Sequence, residues 1–235
     1  MKRQRFVALL LAQILLAGAC FAQQTLVIND PAESVEPLIM NTAEIALIKR
    51  EVLPKARKHW SGSDACEEDF KVMGRVRGAF SAPKSNQELV FYQFCQTGNG
   101  LANNGLVLIE NGRIVGNYIS EDGGWALGLK VLRDINQNGL DEFMLYYSGG
   151  IHQGEGGTGV DIMEFSPSNV KGLGWFQAEG FTEEDSWSYK VSVKPGKPPL
   201  FYHEKYVSKN KKLQKTGKPS PIKLEQVSGG FTALK

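Results

Sequence analysis

Leu106-Val-Leu-Ile-Glu-Asn-Gly-Arg-Ile-Val-Gly-Asn117 is the stretch that decides the fold class. Two short β-prone runs meet at Asn111-Gly112, the dipeptide that best tolerates the positive φ angles of a two-residue hairpin turn. The same pattern repeats outward from it. Short runs rich in Val, Ile, Leu, Phe and Tyr fall at 70–80, 88–95, 105–110, 113–119, 125–133, 142–148, 159–166, 187–194, 199–206 and 222–227. Turn residues separate them, as at Pro83-Lys-Ser-Asn86 and Thr97-Gly-Asn-Gly100. Such a series describes a mainly β, antiparallel domain spanning 62–235.

The residues before the strands read differently. Lys2, Arg3 and Arg5 precede an apolar core from Phe6 to Leu16 and a small-residue exit at Ala17-Gly-Ala-Cys-Phe-Ala22. That order is an export signal over 1–22, too short for a membrane span. A lipoprotein anchored at Cys20 is the rival reading, opposed by Ala17 standing where a lipobox prefers leucine. No later segment approaches the ~20 apolar residues of a transmembrane helix. Losing the signal removes three positive charges and takes the formal net charge from +2 to −1, so nothing marks a nucleic-acid partner. The expected location is periplasmic or secreted. Residues 23–40 form an extended lead. Asn41 and Glu44 then resemble a capping box, and Ile45, Ile48, Val52, Ala56 and Trp60 recur at helical spacing. One amphipathic helix over 41–61 follows, with Pro54 kinking it or beginning a second. Export also leaves Cys66 and Cys95 as a pair in an oxidising compartment, where a disulfide is expected. Closing that loop would stabilise the fold by about 3–4 kcal/mol in the loop-entropy model.

Asp134-Ile-Asn-Gln-Asn-Gly-Leu-Asp-Glu142 carries the chemistry. Oxygen-bearing side chains fall at its positions 1, 3, 5 and 9, and Gly139 supplies the sharp turn at position 6. Alternate side chains of a tightly wound loop converge, which suits a hard cation. Leu145 stands where an EF-hand requires glutamate, and the flanking runs 129–133 and 143–147 are strands instead of helices. The stretch is therefore a metal-type loop between strands.

Asp134-Ile-Asn-Gln-Asn-Gly-Leu-Asp-Glu-Phe143 resembles the calcium loop of the integrin-alpha-like repeats called FG-GAP or VCBS repeats. The resemblance implies Asp134, Asn136, Asn138 and Glu142 as side-chain ligands of Ca²⁺, Leu140 as a carbonyl ligand, and a place in a β-propeller blade. Family loops usually carry aspartate where Asn136 and Asn138 stand. A weak internal repeat agrees with blades: Arg77-Gly-Ala-Phe80 before Glu88-Leu-Val-Phe-Tyr92 parallels Arg133-Asp-Ile135 before Glu142-Phe-Met-Leu-Tyr146, one residue longer and without metal. Residues 70–235 supply about 166 positions against ~40–50 per blade, so the propeller would be partial.

Other motifs lead less far. Gly154-Glu-Gly-Gly-Thr-Gly159 spells a dinucleotide fingerprint but precedes a strand-like run, not a helix. The surrounding glycine-rich stretch holds His152 and Glu155 and reads as a hairpin tip, or else as a ligand-contacting loop. His203-Glu204 begins a metalloprotease helix that lacks its second histidine. Lysines 205–218 suit the protection of an exposed sheet edge better than a polyanion site. The composite expectation is an exported, non-catalytic β module with one structural Ca²⁺ and a protein or glycan partner. Its alternative is an extracytoplasmic hydrolase of envelope or extracellular polymers that uses calcium structurally.

Overall fold

The computed structural model describes residues 24–33, 41–62, 66–166, 169–209, 212–227 and 229–234. The export signal 1–22, the Cys20 alternative and residues 23 and 34–40 of the lead lie outside them. The chain begins with β1 (Leu26–Asn29), α1 (Thr42–Glu51) and α2 (Leu53–His59), then β2 (Glu67–Gly78), β3 (Gln87–Gly98), β4 (Leu101–Glu110) and β5 (Arg113–Gly123). It continues as β6 (Trp125–Leu132), β7 (Glu142–His152), β8 (Glu155–Phe165), β9 (Asn169–Phe181) and β10 (Ser186–Lys194). It ends with β11 (Leu200–Lys209), β12 (Lys212–Lys215), β13 (Ser220–Ile222) and β14 (Phe231–Ala233).

All fourteen strands described belong to one sheet. The Asn111-Gly112 turn has φ of 50° and 71°, and the β4–β5 ladder starts from Glu110 opposite Arg113. These are the two left-handed residues that a type I′ hairpin requires. From β2 the ladder runs through β3, β4, β5, β14, β9, β8 and β7 to β6. There β6 lies back against β2, so the sheet nearly closes into a barrel. Gly74 sits at that seam, where a Cβ would stand 2.5 Å from Cβ of Leu129 and 2.9 Å from its backbone nitrogen. Only a residue without a side chain lets the two strands approach so closely.

Strand β9 serves two layers. Its first residues pair with β14 to complete the barrel, and its last pair with β10, which leads out to β11, β12 and β13. The expected propeller blades are replaced by this continuous ladder. A blade keeps a short stack of strands to itself, whereas each hairpin here hydrogen-bonds onward to the next.

Three apolar layers result. Inside the barrel, Phe80, Phe91, Leu106, Phe143, Met163 and Phe165 belong to one cluster. The rings of Phe143 and Phe165 lie 5.4 Å apart, and Phe80 meets Phe143 edge-on at 6.1 Å. Outside β3–β5, the helices cover Val90, Tyr92, Val107 and Ile109 with Ile48, Val52, Ala56 and Trp60. Outside β6–β9, the β1 and β10 strands cover Met144, Tyr146, Val160 and Ile162. Much of the wall is therefore buried on both faces, which explains its near-continuous apolar runs.

The single helix expected over 41–61 divides at Val52. Pro54 occupies the first turn of α2, where a missing N–H costs nothing. Asn41 caps α1 by accepting from the Ala43 N–H at 2.9 Å. Glu44 does not complete a capping box but pairs with Arg75 of β2 at 2.6 Å, tying the helix to the wall. The basic run of α2 is largely exposed, and Arg57 pairs with Glu68 at 2.6 Å. Cys66 and Cys95 form the expected disulfide, their Cα atoms 5.5 Å apart. At the far end of the sheet, β12 is an exposed edge strand carrying Lys212 and Lys215. Lysine there opposes edge-to-edge pairing.

Phe143 is fully buried where three of the core rings meet. Phe143→Ala is expected to lower the unfolding free energy by about 3–5 kcal/mol in urea titration. A loss below about 1 kcal/mol would contradict an interior packed around this ring.

Candidate functional site

The loop between β6 and β7 is wound by its own side chains. Asp134 has φ of 39°, and its carboxylate accepts the N–H of Asn138 at 2.8 Å and of Gly139 at 3.1 Å. Asn136 Oδ1 accepts from Asn138 N–H at 3.1 Å, and Asn138 Oδ1 from Leu140 N–H at 2.8 Å. Gly139 takes φ of 92°, a conformation that the turn needs and a side chain resists. The expected ligand residues Asp134, Asn136 and Asn138 thus turn their oxygens toward the loop's own amides.

Glu142, the first residue of β7, is fully buried and sends Oε2 back to accept the Ile135 N–H at 2.8 Å. Its Oε1 is buried with no hydrogen-bond partner. Burial first, and then the charges of Glu164 and Asp134, push its carboxyl up to about 7. Glu164 reaches the same place from β8, one step beyond the Phe143–Met163 pair. It is 3 % exposed and accepts the side-chain amides of both Asn136 and Asn138 through Oε2. Its Oε1 pairs with Lys171 at 2.9 Å. Two buried carboxylates therefore face each other across a ladder, an arrangement that is destabilising unless a positive charge lies between or beside them.

Asp141 points away from the loop centre, as strand alternation requires. Its carboxylate accepts the Ala79 N–H at 2.8 Å and pairs with Arg133 at 2.7 Å, while its own N–H donates to Ala79 O at 2.9 Å. This latch joins the β6–β7 loop to the end of β2.

The internal repeat gains a different register. Gln87, the first residue of β3, accepts the Phe80 N–H at 3.1 Å, seven residues earlier. Glu142 accepts from Ile135 across the same span of seven. Gln87, and not Glu88, therefore holds the position that Glu142 holds, the bonded spans Phe80–Gln87 and Ile135–Glu142 being equal. Glu88 faces outward instead, pairing with Arg75 and Arg77. Side-chain direction decides the alignment, and the bare letters Glu88 and Glu142 do not reveal it.

His152 and Glu155 stand opposite each other on either side of the Gln153-Gly154 turn. Both are exposed, and the His152 ring contacts the Gly149 carbonyl at 3.0 Å. The glycine-rich stretch is thus the tip of the β7–β8 hairpin, and its fingerprint motif runs into a strand. Beside it lies a shallow cleft of about 410 Å³ bordered by Trp175, Phe181 and Trp187. Glycines give the rings room: a Cβ at Gly180 would stand 2.5 Å from the Trp187 ring, and one at Gly156 2.6 Å from Phe181. His203 stacks on Tyr189 at 5.2 Å, inside β11 and remote from any helix.

Glu164 is the site residue that motif reading overlooks. Its signal is local: Val160-Asp-Ile-Met-Glu-Phe165 is apolar apart from two acids, and the wall buries Glu164 while Asp161 stays half-buried. Among the described residues, no group of three or more His, Cys, Asp or Glu side chains is gathered closely enough to hold a metal ion. What the loop does bring together is a set of oxygens around Glu142 with more negative charge than Lys171 balances.

Asp141→Ala strands the Ala79 amide and is expected to cost about 1–3 kcal/mol of stability. Arg133→Ala, whose side chain is 63 % exposed, should cost below about 1 kcal/mol. Paired urea titrations measure both, and equal losses would deny the latch. Comparison with known proteins gives no matching family model, no matching curated protein and no matching solved structure.

Proposed function

We propose that this chain is an exported, non-catalytic binding module in which the 134–142 loop takes up Ca²⁺ as a structural ion. The observation that carries the reading is the buried, unpartnered Oε1 of Glu142, with the buried Glu164 carboxylate beside it on β8. A divalent ion bound there would supply the missing partner and offset the carboxylate repulsion. Asp134, Asn136, Asn138 and Glu142 would offer side-chain oxygens and Leu140 its carbonyl, with Glu164 adding charge from β8. Hard oxygen donors of this kind suit Ca²⁺ better than a softer metal. For the ion to enter, oxygens now holding the loop's own amides must turn inward, so the affinity would be modest. Extracellular calcium modules work at dissociation constants of about 10⁻⁴–10⁻³ M, and the disulfide fits an oxidising compartment.

On this reading the ion stiffens the β6–β7 loop, and its effect passes along β7 to the hairpin tip. The aromatic cleft beside that tip is the face offered to a partner. Rings packed close to glycine backbone, next to Gln177 and Glu155, present the mixture of apolar surface and hydrogen-bonding edge that a sugar ring recognises.

Thermal unfolding in roughly 5 mM Ca²⁺ and in chelator is the test. An ion present at about ten times its dissociation constant adds ~1.4 kcal/mol, which raises the Tm of a chain this size by roughly 3–6 °C. Asp134→Ala and Glu142→Gln should each abolish the rise. No rise in the wild type, or an equal rise in both variants, would overturn the calcium site.

A further inference from the structure

Behind Tyr147, at the end of the barrel interior, lies a cavity of about 190 Å³. Its floor is apolar, made by Phe91, Leu145, Met163 and Phe231, the last rung of the barrel core. Its walls are polar: Asn104, Ser120 and Asp161, the last directly opposite Leu145 across the β7–β8 ladder. Asn104 and Ser120 are directly opposed across β4 and β5.

Two of these polar groups have fixed roles. Asn104 is 4 % exposed and donates from Nδ2 to the Gly124 carbonyl at 2.9 Å. That bond settles the amide's orientation, because only the nitrogen can donate to a carbonyl. Its Oδ1 is thereby an acceptor, and it is buried without a partner. Tyr147 donates its hydroxyl to Asp161 Oδ1 at 3.2 Å, and an ionised carboxylate can only accept. Burial pushes the Asp161 carboxyl up to about 6, so it is still mainly ionised at neutral pH. Glycine preserves the space: a Cβ at Gly124 would stand 2.4 Å from the Tyr147 ring.

The cavity therefore offers acceptors and one negative charge above an apolar floor. We infer that it is a binding site for a small primary ammonium compound, whose –NH₃⁺ group lies among Asp161, Asn104 Oδ1 and Ser120 while its short alkyl chain rests on Leu145, Met163 and Phe231. An ammonium head carries three donors and no acceptor, matching three oxygen-bearing groups. Size agrees, since an engineered cavity of about 150 Å³ holds benzene. The site shares no proposed ligand residue with the 134–142 loop, so it stands or falls separately from the calcium reading.

Titration calorimetry of the purified protein near neutral pH, with n-butylammonium chloride, n-butanol and potassium chloride as probes, tests the assignment. Butylammonium should bind saturably, at least about tenfold more tightly than n-butanol or potassium, and lose about tenfold in Asp161→Asn. In the wild type, the methyl signal of Met163 should shift on adding the amine, while that of Met144, on the opposite face of the wall, should not. This second readout does not depend on the variant folding. Amine and alcohol binding equally, potassium binding more tightly, an unchanged affinity in Asp161→Asn, or a static Met163 signal would each overturn the inference. So would the absence of saturable binding, which would leave a pocket of ordered water.

Discussion

The rest of the molecule depends on one constraint: over β3, β4, β7 and β8 the barrel wall has little face left for water. Inside, the rings around Phe143 fill the lumen; outside, two helices cover one flank and β1 with β10 cover the other. A sheet facing water on one side can place charge on alternate residues at little cost. Here that option is closed over much of β3, β4, β7 and β8. Any charged residue in these strands must therefore have a partner, a ligand or a shifted protonation state. Glu142, Glu164 and Asp161 show the rule at work, Glu164 through Lys171 and the other two through raised carboxyl pKa values, and each sits where a cavity or a loop interrupts the packing.

The two sites divide along the same wall. Residues of β7 and β8 alternate between its faces, so Glu142 and Glu164 belong to the outer layer with Met144 and Ile162. Tyr147 and Asp161 belong to the lumen side, above Leu145 and Met163. One pair of strands thus carries an outer carboxylate pair at one end and an inner acceptor cluster at the other. Along β7 the two ends are joined by a buried run, Phe143 to Tyr146, which gives the sheet a stiff connection between them.

Much of this was legible in the residues. Asn111-Gly112 announced its hairpin because a two-residue turn is a local problem with a local solution, and the pairing of Cys66 with Cys95 was expected from the cysteine count after Cys20. The winding of 134–142 was equally local, set by Asp134, Gly139 and the Asx side chains between them. Closure of the barrel was not legible, because the meeting of Gly74 with Leu129 joins strands that share no hairpin. The division of the helix at Val52 was half visible in Pro54. Glu164 and Asp161 went unread for a related reason: which face a strand residue occupies matters only after the layers covering it are known. The internal repeat was seen but placed one residue out of step, since Gln87 and Glu142 match by what their side chains accept and not by the letter at each position.

That match has a consequence for how charge can be placed in this fold. The β2–β3 and β6–β7 hairpins share a frame in which the first residue of the outgoing strand bonds to the amide seven positions upstream. An amide fills that post in one and a carboxylate in the other. Glutamine and glutamate have nearly the same shape and differ in charge, so one backbone-capping arrangement serves both a neutral loop and an acidic one. The chain carries, side by side, a neutral and an acidic edition of a single structural sentence.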